Sequence, residues 1–324
     1  MEPSGARVWK AADGAAVADL RQPDPVRQAS FGAGRAARVF DARTGRPVAA
    51  VDHGDGITSA TFTPDGERLV TTGRNGTARL WTLRRGGRLV RELTGHRGQV
   101  SAGVVAGDGK LLVTTSADGT ARAWELPSGA LIADLVGHTN EVAGAAFSRD
   151  GLAVVTWSSD GTARVWDPAR GSARVSLAGH GDAVTSASFD ASGDTVLTTS
   201  ANGRARLWSS RVQAELDLVT NVPTPITTAS FSDDGTVAAV AGPSGTRILR
   251  AAGGGLIALL PTGRVRSLAL NRNGSLVAAR DGSRVSVWRV ATGELAGTLE
   301  AGGTTTAIAI SPDGARLAVG TAAG

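Results

Sequence analysis

His96, His138 and His180 stand 42 residues apart, as do Trp124, Trp166 and Trp208, and His53 and Trp81 precede their counterparts by 43. A sustained period of this length constrains the fold more than any other feature of the chain. It specifies stacked supersecondary units that bury their apolar faces only against one another. The units read alike: a Gly-His pair, an alternating apolar segment ending near Phe, a Gly turn, a Val/Thr/Ser-rich segment, a second turn with Asp-Gly or Asn-Gly, then Thr-Ala-Arg-x-Trp. Strict two-residue alternation in short runs predicts strands, because successive side chains of a strand point to opposite faces.

In the unit that starts at Val142, the strands read VAGAAF, LAVVTWS, TARVW and SARVSL, with SRDG and SDG as the first two turns. Four antiparallel strands per period predict the blade of a β-propeller. Asn75-Gly76, Asp118-Gly119, Asp160-Gly161 and Asn202-Gly203 fill the second turn. A two-residue hairpin is expected there, since glycine and Asx tolerate positive φ. These carboxylates recur once per unit and stand far apart, which makes them turn residues and not an acid/base pair.

The pattern resembles the WD-repeat (WD-40) family over nearly the whole chain. Trp166-Asp167 is the single literal Trp-Asp pair; the dipeptide elsewhere is Trp81-Thr82, Trp124-Glu125, Trp208-Ser209 and Trp288-Arg289, with Phe40-Asp41 keeping the acid and changing the ring. The resemblance implies a buried hydrogen-bonded tetrad in each blade, made of the Gly-His histidine, a second-strand Ser/Thr, the turn Asp and the third-strand Trp. Matched residue by residue, it implies His96, Thr114, Asp118 and Trp124, and His138, Thr156, Asp160 and Trp166. Two further sets carry asparagine for the carboxylate: His53, Thr71, Asn75 and Trp81, and His180, Thr198, Asn202 and Trp208. A buried imidazole needs partners for both nitrogens, and these sets supply them. All four histidines are then framework, with no His-x-x-x-His or Glu-x-x-His spacing to suggest a metal.

Complete four-strand units begin at Ile57, Val100, Val142, Val184, Ile226 and Val265. The last two are degenerate: both lack Gly-His, and SGTRILR stands where DGTARVW is expected. The tail adds two strands, TTAIAI and RLAVG, so strands from the N-terminus are expected to complete that blade and close the ring. Two segments can supply them, Ala6 to Leu20 and Ala36 to Val51. Between them VRQASF reads as a first strand and AARVF as a third, with no second. Parallel strands need a crossover of about a dozen residues, which a four-residue loop cannot provide. A seven-bladed propeller over residues 35–324 is therefore favoured, closed by Ala36 to Val51, with 1–34 a degenerate repeat loose or packed outside. An eight-bladed ring using Ala6 to Leu20, with one deformed blade, is the alternative.

Hydrophobic residues make up 41% of the 324, enough for a core, and cysteine is absent, which removes disulfides and thiolate chemistry together. The N-terminus lacks the apolar run of a signal peptide and no segment approaches a membrane span, so a cytoplasmic location is expected. The arginine-for-lysine bias and abundant alanine suggest a high-GC bacterial source. Net charge is +5, but Arg7, Arg38, Arg79, Arg122, Arg164 and Arg206 repeat at one position, two residues before the aromatic. That spreads charge as a solvated repeat position, whereas a nucleic-acid groove gathers it with stacking aromatics. No nucleic-acid partner is expected.

No nucleophile elbow, P-loop or paired carboxylates appear, and GAGRAA lacks the third glycine and the helix of a dinucleotide fingerprint. No catalytic residue, metal or cofactor is expected. The resemblance implies instead a monomeric platform for a protein or peptide partner, docked on the narrow top face. Carried over, the face comprises Thr58 and Arg74, Gln99 and Ser101, Glu141 and Ala143 with Ser159, Thr185, and Arg264 and Arg266. Only the arginines are strong anchors, which points to an acidic segment. Trp157 departs from the threonines at its position, Thr72, Thr115 and Thr199, and is expected to fill a gap between blades. The alternative function is a sensor or regulatory module of a longer bacterial signalling protein, linked to a kinase or NTPase, because the chain starts and stops inside a repeat.

Overall fold

The computed structural model of the protein describes residues 7–10, 16–19, 27–31, 35–41, 47–84, 86–211, 215–218, 226–243, 245–251, 255–301, 305–311 and 313–321. Every regular element among them is a strand. The chain divides into two compact units, one of residues 22–187 with 210–213, the other of 1–21, 188–209 and 214–324.

The first unit holds three antiparallel four-stranded sheets, 57–93, 100–136 and 142–178, each in sequence order. Alternation decides what every strand buries. Leu80 packs with Leu112 and Trp124 of the following sheet, whereas its neighbour Trp81 packs with Val39 and Val51 of the preceding one. Leu112 and Val113 divide in the same way between the preceding and following sheets. Each core is thus an interface between consecutive sheets, as a stacked repeat requires. Fully buried residues such as Leu80 and Leu112 each contribute roughly 1.5–3 kcal/mol from removal of apolar surface from water.

The segment that starts this unit resolves the parallel-strand problem. Arg27–Phe31 pairs antiparallel with Ala36–Asp41, Arg27 opposite Asp41 and Phe31 opposite Ala37, and Pro47–Asp52 completes a three-stranded sheet. VRQASF therefore takes the second-strand place. A short loop joins antiparallel neighbours readily, so the chain drops the first strand and keeps the hairpin.

In the second unit, sheets 228–260 and 267–300 have four strands in sequence order, and a ladder runs through Thr195–Ser200, Ala205–Ser209 and Glu215–Leu218. Strands from both chain ends share one further sheet, ordered Ala16–Asp19, Arg7–Lys10, Arg316–Thr321, Thr305–Ile310. Arg7 lies opposite Val319 and Lys10 opposite Arg316. This corrects the expected pairing of the tail with Ala36 to Val51, and the placing of residues 1–34 outside the sheets. Ala36–Asp41 already has Arg27–Phe31 beside it, so the unpaired backbone edge of Arg316–Thr321 is satisfied by Arg7–Lys10.

The second turns also differ from expectation. In the 142–178 sheet the Gly161 N–H donates to the Ser158 carbonyl over 3.3 Å, with Gly161 at φ +81°. That is a four-residue turn with a left-handed glycine at its end. True two-residue hairpins occur instead in the sheets without Gly-His, where Gly242 pairs with Gly245 and Asp281 with Arg284. The longer turn is what turns an Asx side chain toward the histidine.

Candidate functional site

Each histidine sits on the loop entering a sheet, and the third strand brings its tryptophan alongside. His138 and Thr156 are held at 2.8 Å through Nε2 and Oγ1, His138 Nδ1 lies 2.8 Å from Asp160 Oδ2, and Trp166 Nε1–H donates to Thr156 Oγ1 at 2.8 Å. The donors run in one direction. Because Thr156 Oγ1 accepts from the indole, its O–H donates to Nε2, and Nδ1–H then donates to the carboxylate. His96, Thr114, Asp118 and Trp124 repeat this arrangement at 2.9–3.0 Å.

Around His53 the ring is turned over. Its Nδ1 lies 2.7 Å from Thr71 Oγ1, Trp81 Nε1–H donates to the same oxygen at 2.8 Å, and Nε2 lies 3.2 Å from Thr77 Oγ1, which donates to Asn75 Oδ1 at 2.8 Å. With the neutral amide in place of the carboxylate, the Thr77 hydroxyl becomes the imidazole's second partner. The equivalent Thr120 and Thr162 bond the Asp118 and Asp160 carboxylates at 2.7 Å and stand 3.3 Å from Nδ1 of His96 and His138, whose nearer partner is the carboxylate. This threonine recurs after the Asx-Gly in three units, a spacing legible in the chain but absent from the expected tetrads. In the fourth set Trp208 Nε1–H donates to Thr198 Oγ1 at 2.7 Å.

Electrostatics make these networks acid-labile. Burial would raise the Asp160 carboxyl, but hydrogen bonds from Thr162, His138 and the Thr139 N–H outweigh it and hold it at about 2. Asp118 is likewise held at about 2, burial again opposing bonds from Thr120, the Arg97 N–H and His96. Burial pushes His53, His96 and His138 below the ordinary imidazole value of 6.5. In every case the unfolded chain binds the proton more readily, so stability is complete above the unfolded value and falls with pH. Melting temperature is therefore expected to decline below pH 6.5 and more steeply below 3.8. Asp118→Asn with Asp160→Asn should flatten the second decline in a thermal melt series; an unflattened one would contradict these assignments.

The repeated arginine is not a solvated position in the middle sheets. Arg79, Arg122, Arg164 and Arg206 are half-buried. Arg79 Nη1 donates to the His53 carbonyl at 2.6 Å, and Arg206 lies over the Trp208 ring at 5.8 Å. Arg38 is exposed, and the Arg7 side chain lies outside the described residues.

The ends of the first strands form a contiguous surface within each sheet. The residue before the turn Asx donates its N–H to the residue before the first strand: Arg74 to Gly56, Ala117 to Gln99 and Ser159 to Glu141, all at 2.9–3.0 Å. A bulge follows at Thr58, Ser101 and Ala143, where each first strand loses register. A bulge re-aims the side chain that it releases. Thr58 and Ser101 turn toward the next sheet: the Thr58 O–H donates to the Val100 carbonyl at 2.5 Å and the Ser101 O–H to Glu141 Oε1 at 2.9 Å. Thr58, Gln99, Ser101 and Glu141 are half-buried, whereas Arg74, Ala143, Ser159, Thr185, Arg264 and Arg266 are exposed.

Arg264 and Arg266 flank the buried Val265. The Arg266 N–H donates to the Arg280 carbonyl at 2.8 Å, and the Arg280 side chain bonds the Thr305 carbonyl. Burial, and then Arg266, hold the Arg280 guanidinium below its ordinary range. Arg280 is the member of this arginine cluster that sequence reasoning missed, since it stands in register where other sheets carry Thr72, Thr115 or Trp157. Among the described residues no group of three His, Cys, Asp or Glu side chains is placed to hold a metal, and no helix is long and apolar enough to cross a membrane.

Trp157 rests on its own first strand. Its ring lies over Gly144, the first-strand residue of its own sheet with which it is in register; a Cβ there would stand 2.3 Å from Cζ2. The tryptophan is accommodated by a glycine where the other sheets carry Ser59, Ala102 or Ser186.

Four-stranded antiparallel sheets stacked core to core, four of them with the third-strand indole tied to a second-strand hydroxyl, define a repeat protein of the β-propeller class. Residues 45–82, 87–125, 129–167 and 171–209 match the family described as WD domain, G-beta repeat. The chain belongs to the WD-repeat family. A crystal structure of a computationally designed protein, Ika8, is similar with a TM-score of 0.76 and 22% identity, covering 98% of this chain and 97% of that one. No curated protein matches the chain in sequence. WD-repeat propellers are generally non-catalytic modules that bind protein partners.

Proposed function

We propose that this protein is a non-catalytic, monomeric cytoplasmic scaffold that captures an acidic segment of a partner protein at the ends of its first strands. Arg264 and Arg266 carry the reading. Both are exposed, a third arginine lies alongside, and no carboxylate among the described residues pairs with either. Guanidinium groups bind carboxylates through paired hydrogen bonds, and three in one place leave an excess of positive charge for a partner to neutralise. The arginines two residues before the aromatic are distributed one per sheet and partly spent on internal bonds, a poor arrangement for tracking a nucleic-acid backbone.

The test is fluorescence anisotropy of a labelled hexaglutamate peptide at low salt. Arg264→Glu with Arg266→Glu is expected to weaken binding about tenfold or more, with the thermal melt unchanged because both side chains are exposed. Equal binding by the variant would remove this face from the proposal.

A further inference from the structure

The arginine two residues before the tryptophan has a fixed register partner on the fourth strand. Arg79 lies opposite Glu92, Arg122 opposite Asp134 and Arg164 opposite Ser176. In the first two sheets the pair is an ion pair, Arg79 Nη2 to Glu92 Oε2 at 3.1 Å and Arg122 Nε to Asp134 Oδ1 at 3.0 Å. Register partners share a face, so Ser176 stands where the two preceding sheets carry Glu92 and Asp134, while Arg38 faces Ala50 and Arg206 faces Leu218. Arg164 is half-buried, and a Cβ on Gly137 would stand 2.9 Å from its Nη1 and 3.3 Å from the rim of Trp166. Among the described residues its Nε is buried with no acceptor, as is that of Arg79, but unlike Arg79 it has no carboxylate paired with it.

We propose that Ser176 is a phosphorylation site, and that the phosphate supplies the anion that Glu92 and Asp134 supply opposite this arginine in the two preceding sheets. Ser176 is half-buried on Ser172–Ala178, the edge strand of its sheet, where its hydroxyl has one ladder neighbour and an open side. Arg174 and Arg170, whose side chains are 41% and 80% exposed, precede it; they share one carboxylate, Asp167, and so leave a net positive charge of the kind an acidic kinase groove selects. The donor is ATP on a serine/threonine kinase acting in trans. Ser176 Oγ bonds the γ-phosphorus as the bond to the β–γ bridging oxygen breaks; ADP leaves, and the hydroxyl proton passes to the kinase's base. The product carries about −1.5 to −2 charge and three strong acceptors, which suit a guanidinium that holds donors in a planar fork. The modification thus ties the outer strand to the third strand as Asp134 and Glu92 do in theirs.

Two measurements decide it. With phosphoserine installed at position 176 of the full chain by genetic encoding, a ³¹P NMR titration should show the second phosphate pKa about 1 below its free value near 6, returning toward that value in Arg164→Gln. Arg164→Lys, which keeps a charge at that position, should retain part of the shift and serves if the glutamine variant does not fold. In parallel, a purified basophilic serine kinase with ATP should label the folded wild-type protein at Ser176 and leave Ser176→Ala unlabelled there. An unshifted phosphate in the wild-type background overturns the proposal, and so does a kinase that labels the 168–182 peptide but never the folded protein.

Discussion

Thr114→Val is expected to lower stability by about 2–4 kcal/mol, whereas Thr115→Val, one residue along, leaves it unchanged or raises it by up to about 1 kcal/mol. Both threonines are fully buried. Thr114 Oγ1 accepts the Trp124 indole N–H and bonds His96 Nε2, each at 2.9 Å. Valine fills the same volume but strands two buried polar groups, which pay their desolvation with no partner. The Thr115 hydroxyl has no hydrogen-bond partner among the described residues, so its burial is already unfavourable and valine removes it. Urea unfolding of the two variants beside the wild type checks this. Equal destabilisation would mean that volume or β-propensity, and not the hydrogen-bond chain, governs the second strand.

Gly144→Ala is expected to cost about 1–3 kcal/mol, and Trp157→Thr should relieve much of that cost when the two are combined. A methyl on Gly144 meets Cζ2, Cε2 and Cη2 of Trp157 at 2.3, 2.7 and 3.0 Å, so the ring or the strand must move. Gly144 is itself buried and Trp157 half-buried. Trp157→Thr alone also destabilises, by loss of ring contacts, but it creates the side chain that Thr72, Thr115 and Thr199 carry at the same place. Thermal melts of the four-member cycle read the coupling. Additive effects would show that the ring does not rest on Gly144 in solution.

Much of this site was legible in the chain because its parts are local and repeated. The 42-residue spacing of His96, His138 and His180 aligns Thr114 with Thr156 and Asp118 with Asp160 before any coordinates are consulted. The ring of His53 was not legible. With Asn75 in place of a carboxylate, Nε2 and not Nδ1 faces the Thr77 hydroxyl, at 3.2 Å across 24 residues. Nor was Arg280, which breaks the repeat's pattern and so carried no spacing to mark it. The re-aiming of Thr58 and Ser101 follows from a bulge, and alternation alone places such residues on the wrong side.

By itself the sequence determined the strands, their order within each sheet and the members of the histidine networks, because alternation and turn chemistry act over a few residues and recur in unit after unit. Only the tertiary structure decided that Arg7–Lys10, and not Ala36 to Val51, lies beside the tail, and that Arg27–Phe31 is a second strand without a first. It likewise decided that Arg164 faces a serine. Such choices are settled by which backbone edge is left unpaired and by which side chain lies in register across a sheet, and both depend on residues that meet only after the chain has folded.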